Sequence, residues 1–439
     1  MTVKNRCALF GFVFSVFSPL FCETEIEQIK HAVAQIVAQG DVQYEDKRSV
    51  ENDDMEALRR WLNDKRMITV KELGGDLSLS GEVRFEFQNV QEKIGSREVR
   101  GVGKAKPAQV WDVEVNLILD YRTDYTWATI KLEFDNDAGT GSGVMNKIRL
   151  ETAYLGGRIV AGDTFTFDAE AGRRYMSKPF DSKIEFGALF DGVLFRFNKA
   201  FISIADFYCN VAGFLVDERT NHYGAAVEMG GLRIANTGFG AKYSVIDWWK
   251  QFHNPQKNDR FHFVVQQALL FYQFNPEWLW KKLVKVYAAA LNNIIANDLV
   301  LATSNTNSTP INFGKQNWGW YVGLAIGQAK KAGDFAVEVD YQWVQAQTVA
   351  DYDFSGIGRG NSKGAGLYTT AIDGSNGIIT NAKDAVGPCN YKGWEVDFLY
   401  LFTNNISMDI NFKMSNTLDK KLGGNRRFNQ FETEFIYAF

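Results

Sequence analysis

Groups suited to chemistry are scarce in this chain. Only 4 of its 439 residues are His, and His31, His222, His253 and His262 fall in no HExxH or other metal-ligand spacing. No GxSxG is present to raise a serine nucleophile. Gly356, Gly358, Gly360, Gly364 and Gly366 share the composition of a phosphate-cradling loop but do not sit between a strand and a helix, so they read as a surface loop. The expectation is no enzyme, no cofactor and no metal. A basic surplus is missing too: 48 Lys and Arg face 52 Asp and Glu, and a net charge of −4 offers nothing to nucleic acid. Past the N-terminus no uncharged apolar run reaches the roughly 18 residues of a spanning helix. Proline is rare at 7 residues. Of 4 cysteines, only Cys209 and Cys389 lie beyond residue 22, too far apart in sequence for a CxxC motif. In an exported setting they leave three possibilities: one disulfide, cross-links to other molecules, or two free thiols.

Aromatics and glycine are plentiful, at 14% and 39 residues, while mean hydropathy is negative. From about Leu77 the apolar period is two. Leu77, Leu79, Val83, Phe85 and Phe87 alternate with Ser78, Ser80, Glu82, Arg84 and Glu86. Trp111, Val113, Val115, Leu117, Leu119 and Tyr121 alternate with Asp112, Glu114, Asn116 and Asp120. Ile130, Leu132 and Phe134 oppose Lys131 and Glu133; Ile148 and Leu150 oppose Lys147, Arg149 and Glu151. The pattern recurs at Val193, Phe195 and Phe197 around Arg196, then over 335–343, 394–402 and 406–414. A dry face and a charged face on strand after strand fit lipid on one side and water on the other.

Connections form a second pattern. Short ones are expected at Tyr121–Tyr125, Leu155–Gly157, Asn198–Ala200, Met229–Gly231, Ala329–Asp334 and Thr403–Asn405. Long ones are expected near 88–108, 136–144, 167–188, 210–221, 246–260, 294–316, 347–391 and 416–427. Short and long alternate, as in a barrel with tight turns at one end and loops at the other. The count is about 16 strands, or 14 if the stretch Glu277–Leu291 is helical.

The ends carry their own signals. Lys4 and Arg6 precede an apolar run from Ala8 to Phe21, the pattern of a signal peptide over residues 1–22, with Leu20 and Cys22 before the cleavage point; a lipidated Cys22 is the alternative. Residues 23–74 read as a helical periplasmic segment, with Ile26, Ile29, Val33 and Ile36 spaced 3, 4, 3, serving either as a cap or as a short trimer-forming stretch. At the C-terminus Phe431, Thr433, Phe435, Tyr437 and Phe439 share one face, with Glu432 and Glu434 on the other.

This terminal strand is similar to the assembly signal of bacterial outer-membrane β-barrels, and together with the N-terminal and loop patterns residues 75–439 resemble a bacterial porin. The helical stretch before the barrel, the strands rich in Glu and Arg, and Asp191–Arg196 are similar to the carbohydrate-selective porin family. The resemblance implies an all-β transmembrane antiparallel barrel in the outer membrane, passing small hydrophilic solutes or sugars. Lipid, the insertion machinery and a possible homotrimer are the implied partners. Phe431, Phe435, Tyr437 and Phe439 would be read during assembly. Glu82, Arg84, Glu86, Glu114, Lys131, Glu133, Lys147, Arg149, Glu151 and Arg196 would face the lumen. In porins the third external loop folds inward, which makes Asp168, Glu170, Arg173, Arg174, Tyr175 and Lys178 the candidates for a constriction; the alternative is an ordinary solvated loop of balanced charge. The other reading is a surface barrel that displays its loops, chiefly 347–391, and conducts little.

Overall fold

A computed structural model describes residues 68–72, 75–104, 106–137, 147–201, 203–217, 222–250, 262–296, 298–301, 311–350, 353–360 and 389–439. The signal peptide and the helical reading of 23–74 lie outside these residues, except that Ile68–Glu72 is a strand, paired with Gly75–Leu79. Alternation drives the remainder into sixteen long strands, which we number β1 (Gly75–Ile94), β2 (Gln109–Arg122), β3 (Thr126–Asp137), β4 (Lys147–Ala161), β5 (Phe165–Tyr175), β6 (Leu189–Phe201), β7 (Ala205–Asp217), β8 (His222–Leu232), β9 (Phe239–Lys250), β10 (His262–Phe274), β11 (Val284–Asn293), β12 (Trp318–Gly327), β13 (Phe335–Val344), β14 (Tyr391–Leu401), β15 (Ile406–Thr417) and β16 (Arg426–Ala438).

Each strand pairs antiparallel with the next, and β16 returns to β1 from Glu82↔Ala438 to Ile94↔Arg426. Closure leaves no sheet edge among the sixteen, which is what a strand protein needs in a solvent unable to satisfy free N–H and C=O groups. Phe439 completes the seam beyond β16: its N–H donates to the Gly81 carbonyl at 2.9 Å, and the Gly81 N–H donates back at 3.0 Å. The stretch Glu277–Leu291 resolves as one 3-10 turn, Glu277–Leu279, followed by β11.

Several expected turns are corrected. Leu155–Gly157, Asn198–Ala200 and Met229–Gly231 lie inside β4, β6 and β8. The glycines there make room for rings: a Cβ on Gly156 would strike the Trp127 indole, and one on Gly230 the Tyr208 ring. The long connections are also shorter than expected, because β1 runs to Ile94, β7 to Asp217 and β9 to Lys250. Only residues 218–221 join β7 to β8, so the length alternation breaks at that point. Cys209 and Cys389 are both buried free thiols, which removes the disulfide.

The outward face is apolar and open. Phe85 is 44% exposed, Leu270 52% and Trp394 47%, while their strand neighbours Glu82, Gln267 and Glu395 are buried on the other face. Exposed aromatics on the outside of a closed barrel are what lipid, not water, accommodates.

Candidate functional site

Residues 167–175, expected as the start of an external loop, belong to β5 and form wall. The third connection at the long-loop end is therefore 176–188, and it does fold inward. The Pro179 carbonyl accepts from Asn210 Nδ2 of β7 at 2.6 Å. The Asp181 N–H donates to Glu228 of β8 at 2.9 Å, and its carboxylate meets Lys242 Nζ of β9 at 2.9 Å. The Asp181 carbonyl accepts from Gln267 of β10 at 2.6 Å, and Lys183 Nζ reaches Glu338 of β13 at 2.8 Å. A segment touching one face of strands from β7 to β13 in a closed barrel must lie inside it.

Apolar side chains hold the segment there as well. Met176, Phe180, Ile184 and Phe186 are buried in one cluster with wall residues that include Phe214, Trp248, Leu269 and Tyr321. Val349, Ala350 and Ile357, from the connection after β13, join the same cluster. This side of the lumen is packed, and burying such side chains contributes roughly 1.5–3 kcal/mol each before the cost of ordering the loop. The inward connection is thus anchored by a small core as well as by ion pairs. Burial works against a charge on Lys183, but Glu338 and nearby carboxylates outweigh it and hold its pKa well above the ordinary lysine value.

The opposite arc, from β13 through β16 and on to β5, is lined by ionisable groups. Arg84 hydrogen-bonds Glu82 at 2.7 Å and lies 3.8 Å from Glu114 and 3.6 Å from Glu434. Glu86 clusters with Glu432 and Glu434. Lys131 pairs with Glu151, and Arg149 with Glu133 at 3.1 Å. Lys413 pairs with Glu395 at 3.1 Å beside Asp397. For Lys147 only the backbone is described, in register with Asp135.

The sequence-derived constriction candidates divide. Asp168, Glu170 and Arg174 sit on the inward face of β5, where Asp168 pairs with Arg158 at 2.9 Å and Glu170 is shared by Arg174 and Arg196. Trp127 Nε1 donates to the same Glu170 at 3.0 Å, and Arg174 lies over the Tyr154 ring at 4.8 Å. Arg173 is in register with outward-facing Ala153 and forms a bidentate pair with Asp191 on the outer surface, both bonds 2.8 Å. It leaves the lumen because adjacent strand residues point to opposite faces. Tyr175, at the end of β5, hydrogen-bonds Glu151, and Lys178 stands exposed near the start of the inward segment. Lys183, Glu338, Asp340, Glu395 and Asp397 are site residues beyond the sequence-derived candidates. The last four were readable from alternation with Val337, Val339, Val396 and Phe398, whereas the inward path of Lys183 had no comparable signal.

These features define the class: a closed sixteen-stranded antiparallel barrel of membrane type, with a lumen partly filled by its own connections. Among solved structures the chain is similar to OprB of Pseudomonas putida, with 11% identity, TM-score 0.47 and coverage of 83% of this chain and 94% of that one. It is also similar to OmpF of Salmonella typhi in a complex with daunomycin, with 14% identity, TM-score 0.46 and coverage of 85% and 100%. A third is the outer membrane channel DcaP of Acinetobacter baumannii, with 14% identity, TM-score 0.43 and coverage of 84% and 99%. No family model and no curated protein sequence matches.

Proposed function

We propose that the protein is an outer-membrane porin, a passive diffusion channel for small hydrophilic solutes. The observation that carries this is the inward connection 176–188, which packs against one side of the barrel's inner wall while paired charges line the inner wall on the other. A barrel of sixteen strands is wide enough to keep an aqueous lumen. Transport needs no covalent step here; the passage sieves by width and by charge. Carboxylates outnumber bases along β16, β1, β2 and β3, where Glu432, Glu434, Glu82, Glu86, Glu92, Asp112, Glu114 and Glu133 accompany Arg84, Lys131 and Arg426. The passage is therefore read as favouring cations and neutral polar solutes, sugars among them, over anions. Lipid, insertion machinery and sister subunits are the partners this reading brings with it, and signal-peptide export is its route.

Purified protein in a planar bilayer should show stepwise conductance, with a reversal potential under a salt gradient of the sign for cation preference. Liposome swelling with neutral sugars of increasing size should give a cutoff. A folded preparation that conducts nothing would instead support the loop-displaying barrel.

A further inference from the structure

The two segments inside the barrel are clasped to one another. Gly187 N–H donates to the Asp353 carbonyl at 2.8 Å, Ser355 N–H to the Ile184 carbonyl at 2.9 Å, and Ser355 Oγ to the Glu185 carbonyl at 2.8 Å. Gly187 permits this approach, since a Cβ there would lie 2.7 Å from the Phe354 carbonyl oxygen. Enclosed by the clasp are two acids, Glu185 at 1% exposure and Asp353 at 0%. Neither oxygen of Glu185 has a hydrogen-bond partner, and no cation pairs with either acid among the described residues. The charged or titratable groups around Glu185 are Asp353 from the connection after β13 and Glu228 from β8. Asp353 faces the Phe186 and Ala188 backbone N–H groups and the Trp248 indole of β9. Of the bases in this region, Lys242 pairs with Asp181 and Lys183 with Glu338.

We infer that Glu185 and Asp353 form a proton-dependent latch that holds 184–187 against 353–355 while at least one of them is protonated and releases it at alkaline pH. Two like charges buried within one enclosure, with no cation paired to either among the described residues, are costly to ionise together, so the clasped form keeps a proton that the open form, with solvated carboxyls, gives up. Burial raises the pKa of each well above the ordinary carboxyl value, and their mutual repulsion adds to this for Glu185. The sign follows. The clasped state binds more protons, so its advantage is complete below the open-state value of about 4 and falls by up to tenfold per carboxyl with each pH unit above it. The inference goes beyond passive diffusion to its regulation, and it rests on the channel reading.

Single-channel conductance of the full-length protein, followed as pH is raised from neutral, tests it. Wild type is expected to show a reversible alkaline rise in conductance together with new protease cleavage near 353–360. Glu185→Gln and Asp353→Asn should each lose that step while remaining open channels at neutral pH. A flat wild-type profile, or a step that survives in either folded variant, overturns the latch. Absence of any conductance at neutral pH would count against the channel reading instead, and the protease profile would still decide the latch.

Discussion

Arg173 and Arg174 are adjacent in the chain and end on opposite sides of the wall, the first paired with Asp191 outside, the second with Glu170 inside. Their substitutions should separate accordingly. Removing a unit charge about 8 Å from the ion path through water changes the local energy by roughly 0.5 kcal/mol, a factor of about two. Because that charge acts with opposite sign on cations and anions, Arg174→Ser should raise the cation-to-anion permeability ratio by about the square of that factor, roughly four- to sixfold, in reversal-potential measurements. Arg173→Ser should leave the ratio unchanged. Equal shifts for both would mean that the face assignment of β5 fails. A comparable contrast holds for stability across the wall. A lysine at Val322, which is 42% exposed on the outer face of β12, should cost about 2–4 kcal/mol if it meets mid-bilayer lipid. Glu114→Gln on the inner face, where the nearest cation is Arg84 at 3.8 Å, should cost under about 1 kcal/mol. Denaturant titration of folded barrels in lipid checks both values.

Among the elements, the inward connection is the one whose position depends on buried charge. Asp181 and Lys242 are almost fully buried against each other at 2.9 Å. Lys242→Met should therefore cost about 3–5 kcal/mol by stranding the acid, and Asp181→Leu added to it should recover most of that, both read from the temperature at which the barrel unfolds on gels. The connection was only partly readable in sequence. Strands with a continuous apolar face, such as Phe335–Val344 and Ile406–Thr417, announce themselves by alternation alone. β5 does not, because Asp168, Glu170, Arg173 and Arg174 crowd a stretch whose outward positions are Ala169 and Ala171, and charge density of that kind suggests a loop. Gly156, Gly157, Gly230 and Gly231 misplace turns for another reason. Two of these glycines exist to accommodate Trp127 and Tyr208 from neighbouring strands, a contact that no local window contains. The apolar residues of 176–188 were the available hint. Met176, Phe180, Ile184 and Phe186 are out of character for a loop in water, and all four are buried.

For the whole molecule, closure is the property on which everything else depends, and the chain completes it at its last residue. β16 and β1 zip from Glu82 to Ile94, and Phe439 then adds a reciprocal pair of backbone hydrogen bonds with Gly81. The Phe439 ring lies over Gly81 so closely that a Cβ there would sit 2.6 Å from it and 2.5 Å from the Asn116 carbonyl oxygen of β2. Three strands thus meet at this point, and glycine is the residue that lets them. Net backbone hydrogen bonds contribute about 0.5–1.5 kcal/mol each, so deleting Phe439 should remove roughly 1–3 kcal/mol at the seam, before any effect on recognition during insertion. We expect the deletion to lower the amount of heat-modifiable protein in outer membranes and to lower the unfolding temperature of the purified barrel. Phe439→Ser keeps the backbone pair and loses the ring. It should therefore retain most of the purified barrel's stability, while insertion falls if the terminal aromatic is read as a signal. Gly81→Val supplies the complementary case, with the terminal aromatic present but the seam forced apart, and it should weaken the barrel as the deletion does. If Phe439→Ser and Gly81→Val both insert and melt like the parent protein, closure does not depend on this corner, and the terminal residue has neither the structural role nor the assembly role assigned to it.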